Sequence, residues 1–428
     1  MRRRKVEVRV PGDKSIGHRA LLFAAIADGE SQVRGIGRGA DLQSTRAVLE
    51  QLGVSIVERE GGLSIRGVGL YGLRGDGKEL DCGNSGTTMR LLSGLLAGQG
   101  GAARTRLIGD TSLSRRPMAR VAEALSPFGG IVELSEGGRA PLIIEGAALS
   151  GATYHTGRAS AQVKSAALFA ALLAEGQSKI SERAQSRDHS ERMLKALGVD
   201  LKQDGLTLSL SGGQRFDAFE LTLPGDPSSA AFWAAVAALR PELEVEISGV
   251  SLNKSRGGFF EVLERMGATL EREVEGYALG EPFGRLCVRC DGLSAVRVDG
   301  TLALRALDEL PLVALLAALA EGESEIRDAR ELRVKESDRI TAMTEGLRAL
   351  GVTLEEHQDG WTIQGQTALQ GGKQVRVHED HRIAIVFQLA ALRSEGPVHL
   401  DEPRWAAISY PRFSAELAQA IGDGARTH

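Results

Sequence analysis

The chain has 428 residues, 42% of them hydrophobic and 25% charged, the balance of an ordinary folded protein. At ~150 residues per domain this length predicts two or three domains. Fifty-two basic against 56 acidic residues leave a formal charge of −4, which argues against a general nucleic-acid binder, since that class needs a basic excess to displace phosphate counterions.

From the N-terminus, MRRRK and the apolar run Ala20–Ala27 imitate a signal peptide. The intervening VEVRVPGDKSIGHR is too polar and too long for that grammar. No apolar stretch approaches the ~18 residues of a membrane span. Three cysteines cannot build a disulfide framework, and the CxxC of Cys287 and Cys290 lacks a second ligand pair nearby for zinc. Its surroundings, RLCVRCDG, alternate like a strand, so these thiols read as structural. The expectation is a cytoplasmic protein without membrane or nucleic-acid partners.

Six Ala/Leu-rich runs predict buried helices: ALLFAAIADG from Ala20, MRLLSGLLAG from Met89, AALFAALLAEG from Ala166, AAFWAAVAAL from Ala230, LVALLAALAEG from Leu312 and RIAIVFQLAAL from Arg382. Each is followed by a short β-like stretch, a polar loop and an amphipathic helix. The amphipathic helices end at Gly53, Gly129, Gly198, Gly267, Gly351 and Gly422, spaced 69 to 84 residues apart, and a closing glycine suits a left-handed helix C-cap. Six copies of a ~70-residue unit are an internal repeat. A wholly buried helix needs cover on every side, so the economical arrangement is three units around a shared helical core, made twice. An open stack of six units is the alternative.

The starts of the buried helices read PGDKSIGHR, CGNSGTTMR, ASAQVKSA, PGDPSSAA, LDELP and HEDHR. Ser15, Asn84, Ser160, Asp226 and Asp308 are suitable N-cap types, and Pro227 suits the first helical position. Helix starts offer free N–H groups and a partial positive charge to anions. Lys14, Arg19, Arg90, Lys164 and Arg382 lie at these starts; Arg115, Arg116, Arg187, Lys335 and Arg339 lie in the loops before the second helices. An acidic protein that concentrates cations there points to small, multiply charged anions such as phosphates and carboxylates. Asp308 and Glu336 are the carboxylates placed to move a proton among such cations; a cap role for Asp308 and a capping-box role for Glu336 are equally compatible with local sequence.

Taken together, PGDKS…HR, GNSGTT.R, RRPM, SAQVKSA, SRDH, PGDPSSAAF, DELP, ELRVKESDR and EDHR resemble, in order and over essentially the whole chain, the 5-enolpyruvylshikimate-3-phosphate (EPSP) synthase family. The resemblance implies an α/β fold of two similar domains, each of three βαβαββ-type repeats packed around buried parallel helices, an inside-out α/β barrel. One domain would comprise residues 1–13 plus 225–428 and the other 14–224, with the active site in the cleft between them. It implies a transferase that moves the enolpyruvyl group of phosphoenolpyruvate to the 5-hydroxyl of shikimate 3-phosphate. The reaction would release phosphate through a tetrahedral intermediate, with no cofactor and no metal, in a monomer. Lys14, Ser15, Arg19, Ser160, Ala161, Gln162, Arg187, Asp308 and Lys335 would hold shikimate 3-phosphate. Lys14, Asn84, Gly86, Thr87, Arg116, Gln162, Arg339 and Arg382 would hold phosphoenolpyruvate. Asp308 resembles the base for the attacking hydroxyl, Glu336 the acid for the methylene carbon, and Lys14 a catalytic cation between both substrates. Ile408 stands where some members carry a lysine that touches phosphoenolpyruvate. The rival reading is a UDP-N-acetylglucosamine enolpyruvyl transferase, but the loop GDTSLSRRP lacks that enzyme's cysteine. A non-catalytic anion-binding repeat scaffold is a third reading, disfavoured by net acidity and the Asp308/Glu336 pair.

Overall fold

All six apolar runs fold as helices, and each is followed by the amphipathic helix that the pattern predicts. In chain order the helices are α1 (Lys14–Ile26), α2 (Ala40–Gln51), α3 (Gly86–Ala97), α4 (Ala119–Leu125), α5 (Ala161–Leu173), α6 (His189–Ala196), α7 (Pro227–Leu239), α8 (Gly258–Arg265), α9 (Gly300–Arg305), α10 (Leu310–Ala317), α11 (Arg339–Ala349), α12 (His381–Ala390) and α13 (Phe413–Ile421). These assignments come from a computed structural model that describes residues 3–37, 39–75, 77–100 and 104–422. The short α9 before α10 was not signalled by periodicity. The six closing glycines all adopt positive φ, from 78° at Gly422 to 104° at Gly267, the backbone region in which a Cβ is unfavourable. None of the described helices is long and apolar enough to cross a membrane.

The chain divides into two units. Unit 1 runs to Pro11, resumes over Gly225–Gly276 and continues from Pro282; unit 2 is Gly12–Pro224 together with Tyr277–Glu281. In unit 2 the helices α1, α3 and α5 contribute to one apolar core; in unit 1 the core is built on α7, α10 and α12. Every residue of α7 and of α10 is buried. Their alanines let neighbouring elements approach closely, so cover comes from all sides. Helices α3 and α5 of unit 2 approach closely: a Cβ on Gly94 would lie 2.2 Å from the Ala166 carbonyl oxygen. A mid-helix glycine costs roughly 1 kcal/mol relative to alanine, and here packing requires it.

Five repeats carry a four-stranded mixed sheet. The second repeat of unit 2 shows the pattern. Strand Glu79–Asp81 precedes α3 and pairs in parallel with Arg104–Ile108 after it; the hairpin Ile131–Ser135/Arg139–Glu145 follows α4 and adds two antiparallel strands. That order is βαβαββ. In the first repeat of each unit the leading strand comes from elsewhere in the chain. Arg4–Val8 pairs in parallel with Leu243–Ser251 of unit 1, although the chain continues from it into α1 of unit 2. Glu220–Thr222 pairs in parallel with Glu30–Arg34 of unit 2 before the chain continues into α7. The sixth repeat has only the two-stranded pair of Gln374–Val375 with His399–Leu400. Among the described residues the sheets are separate and none closes into a barrel.

All three cysteines are free. Burial pushes the Cys82 thiol up to about 12 and, with Glu244 adding to it, Cys287 to about 11, so both stay protonated and inert at neutral pH.

Candidate active site

The N-terminal ends of the buried helices carry the polar side chains in both units. In unit 2, Asp13 caps α1 by accepting the Ile16 N–H at 2.9 Å, so the cap lies two residues before Ser15. Lys14, next in the chain, is ion-paired to Asp41 on the first turn of α2. Sequence reasoning missed Asp41; its only signal was an acidic residue at a helix start in GADLQS. His18 is wholly buried, with Nδ1 2.7 Å from Thr45 Oγ1. Burial, reinforced by Lys14 and Arg19, holds its pKa well below 6.5, so it is neutral and structural.

Arg19 is 3% exposed. Its guanidinium donates to the Ser190 hydroxyl at 2.7 Å, the Ser165 hydroxyl at 2.8 Å and the Ser15 carbonyl at 2.9 Å. It therefore ties the starts of α1, α5 and α6 together. Burial lowers its pKa to about 10, against the opposing pull of Glu191, Asp13 and Glu281. Behind it, Lys164 is held between Glu182 and Glu191 at 2.6 Å each, with all three side chains at most 4% exposed. Lys164, a cation that the sequence places at a helix start, is thus committed to an internal ion pair.

A second cluster of unit 2 forms where α3 and α5 begin. Ser85, and not Asn84, caps α3 by accepting the Thr88 N–H at 3.2 Å. Asn84 is thereby left to bridge: its amide donates to Asp110 at 2.6 Å and its oxygen accepts from Arg116 at 2.5 Å. Gln162 donates to Thr87 Oγ1 at 2.9 Å and accepts from Arg90 at 2.6 Å. A Cβ on Gly86 would lie 2.8 Å from Arg90 Nη1 and 3.5 Å from Arg116 Nη1, so two guanidinium groups approach the helix start at this glycine. The structure brings Asn84, Gly86, Thr87, Arg90, Arg116 and Gln162 together. Ser160 caps α5 and Ala161 is its first residue. Arg187 is half-buried just before α6, and its charge acts on Arg19.

In unit 1 the proposed catalytic carboxylates and their cations form one connected network. Asp308 does not cap a helix. It lies in a 3-10 turn before α10, and its Oδ1 accepts from Lys335 at 3.1 Å and lies 3.8 Å from Arg339. Glu336 accepts from Arg339 Nη2 at 2.6 Å. Arg339 is 1% exposed and also donates through Nε to Asp380 at 2.8 Å. Burial opposes its charge, but Asp380, Glu336 and Asp308 outweigh it and raise its pKa. Asp380 caps α12, accepting from the Arg382 and Ile383 N–H groups. The two residues before it, His378 and Glu379, have φ of 52° and 57°, an uncommon backbone for non-glycine residues that turns the chain into the site. Arg382 donates to the Asp308 carbonyl and to Glu309 at 3.3 Å and to Ser228 at 3.2 Å. Asp226 caps α7 with Pro227 at its first position, as the sequence suggests. Ile408 is 40% exposed and supplies no charge.

Lys14, Arg19, Arg90, Arg116, Lys164, Lys335, Arg339 and Arg382 each already meet an acceptor of the protein. An anionic ligand therefore gains by replacing one acceptor with another, and the geometry suits doubly charged guests that can occupy two cations at once.

The family model for EPSP synthase (3-phosphoshikimate 1-carboxyvinyltransferase) matches residues 2–417. The 3-phosphoshikimate 1-carboxyvinyltransferase of Synechococcus sp. (strain RCC307) is 47% identical over 420 residues, covering 96% of each chain. That of Halorhodospira halophila is 46% identical over 420 residues, covering 98% of this chain and 94% of the relative. Among solved structures, EPSP synthase from Acinetobacter baumannii superposes with a TM-score of 0.86 at 39% identity, over 98% of this chain and 96% of the other. The enolpyruvyl transferase NikO from Streptomyces tendae reaches a TM-score of 0.77 at 18% identity, a likeness of fold alone.

Proposed function

This chain belongs to the EPSP synthase family and transfers the enolpyruvyl group of phosphoenolpyruvate to shikimate 3-phosphate, and from that premise we propose which of its side chains carry each step. The observation that carries the proposal is the single network joining Asp308, Lys335, Glu336, Arg339 and Arg382 in unit 1.

Asp308 is the base that takes the proton of the 5-hydroxyl. Lys335 and Arg339 beside it keep the carboxylate ionised until the hydroxyl arrives. The hydroxyl oxygen bonds to the central carbon of phosphoenolpyruvate as the methylene carbon takes a proton from Glu336. The resulting tetrahedral intermediate then loses phosphate as the methyl group returns a proton, which restores the double bond. Glu336 accepts from Arg339 in the structure. Once the carboxylate of phosphoenolpyruvate takes its place on Arg339, Glu336 takes up a proton from solvent and becomes the acid. Arg382 holds the other side of that carboxylate. In unit 2, Asn84, Gly86, Thr87, Arg116 and Gln162 receive the phosphate at the start of α3, where backbone N–H groups favour anions. Lys14 exchanges Asp41 for substrate and bridges both molecules. Ser15, Ser160, Ala161, Gln162, Arg187 and Lys335 take shikimate 3-phosphate. Arg19, whose guanidinium also ties together Ser15, Ser165 and Ser190, belongs to the same shikimate 3-phosphate set. Orientation and charge stabilisation are the protein's contribution, worth ~7–11 kcal/mol from positioning alone.

The arrangement of each unit is part of the same reading: three parallel helices inside and the sheets outside, an inside-out α/β barrel. The all-round burial of α7 and α10 supports it. The enzyme works as a cytoplasmic monomer in this reading. A coupled assay of phosphate release tests the assignment by omitting each substrate in turn. Release should need both phosphoenolpyruvate and shikimate 3-phosphate, and release with UDP-N-acetylglucosamine as sole acceptor would sink it.

A further inference from the structure

Glu309 follows the proposed base in the chain, yet its side chain is turned inward and only 5% of the residue is exposed. One oxygen, Oε1, accepts from two donors, the Ser228 hydroxyl and Arg382 Nη1. Ser228 in turn accepts from Arg382 Nη2 at 3.2 Å and from the buried Arg256 at 2.8 Å. Among the described residues Glu309 is the one carboxylate in ion-pair contact with Arg382, at 3.3 Å. Its other oxygen, Oε2, is buried and makes no hydrogen bond. A buried carboxylate with an idle oxygen costs stability, and a well-packed apolar residue of that size would avoid the cost.

The two arginines of the proposed carboxylate clamp are held differently. Arg339 is gripped at 2.6 and 2.8 Å by Glu336 and Asp380. Arg382 has only long contacts of 3.2 to 3.3 Å. Its direction therefore depends on the one partner that carries a full charge. A guanidinium recognises a carboxylate through a planar fork, so a small rotation forfeits the pairing.

We propose that Glu309 is a positioning residue for phosphoenolpyruvate: with Ser228 as a shared bridge, it fixes the Arg382 guanidinium in the orientation that receives the substrate carboxylate. This rests on the reading above that Arg382 binds that carboxylate. Glu309 touches no substrate and takes no proton in the reaction.

The test is a double-mutant cycle in the full-length enzyme with steady-state constants for both substrates. Glu309→Ala should raise the KM for phosphoenolpyruvate about tenfold or more, with a smaller loss in kcat. The KM for shikimate 3-phosphate should stay within about twofold. Glu309→Gln keeps an acceptor at Oε1 and should recover part of the loss. In an Arg382→Ala background, Glu309→Ala should add nothing to the KM for phosphoenolpyruvate, because the residue acts through Arg382. If Glu309→Ala does not fold, Ser228→Ala removes the bridge instead and should raise the same constant selectively. The proposal is overturned if Glu309→Ala leaves this KM unchanged, raises both KM values alike, or multiplies the Arg382→Ala effect independently. Arg382→Ala leaving the KM for phosphoenolpyruvate unchanged overturns the reading of Arg382, and this proposal with it.

Discussion

Asp308 illustrates how a side chain's role is decided at the residue scale. Local sequence offers it a helix cap as readily as a catalytic base; in the structure the cap position of α10 falls on Glu309 and Asp308 pairs with Lys335, and the proposed mechanism makes it the base. Asp308→Ala should therefore lower kcat by ~10²–10⁴ while binding of shikimate 3-phosphate, followed by calorimetry, survives. Near-normal turnover would return Asp308 to a structural role. Asp380 supports a pH prediction. Burial alone would raise its carboxyl, but Arg339 pulls it below its ordinary 3.8. A depressed folded pKa adds stability above the unfolded value, and that stability is lost as pH falls through the folded one. Asp380→Asn should thus lower Tm most at about pH 6, and the gap from the parent should shrink below about pH 4. A gap independent of pH between those limits would show that the ion pair is not its source.

Elements are governed by how closely helices approach. The apolar runs and the closing glycines are local signals, and they identified the helices well. The N-caps were less legible: Asp13 and Ser85 cap α1 and α3, displacing Ser15 and Asn84. A cap is chosen among adjacent suitable residues by where the chain must turn, which neighbouring elements dictate. Asn84 is consequently available to bridge Asp110 and Arg116. Gly94 has the opposite character, because the carbonyl of Ala166 on α5 stands where its Cβ would be. Gly94→Ala should raise intrinsic helix propensity yet destabilise the protein by about 1–3 kcal/mol. Urea unfolding measures the difference, and a neutral or stabilised variant would mean that α3 and α5 can separate at little cost.

At the scale of the whole molecule, the leading strands of the two first repeats, Arg4–Val8 and Glu220–Thr222, each precede a helix of the other unit. Unit 2 is thereby inserted within unit 1, which keeps both termini in one unit. In the proposed mechanism Arg187 and Lys335 both contact shikimate 3-phosphate. Arg187→Ala in unit 2 and Lys335→Ala in unit 1 should each raise the KM for shikimate 3-phosphate, by about tenfold for a lost charge-assisted contact. An effect confined to one unit would mean that only that unit binds this substrate.

The amino-acid sequence by itself determined the helices, the repeat, the α/β class and the residue types at the helix starts, because each follows from local periodicity and capping chemistry. The motifs, in their order, were enough to indicate the family. Tertiary structure alone decided which cations are committed inside the protein and which carboxylates neutralise them. Asp41 on α2 meets Lys14 on α1, Asp380 reaches Arg339 from a different repeat, and Arg19 and Lys164 are buried among partners from other helices and loops. These pairings depend on distances between segments far apart in the chain. Charge interactions fall off with separation and strengthen with burial, so they exist only once packing has set both.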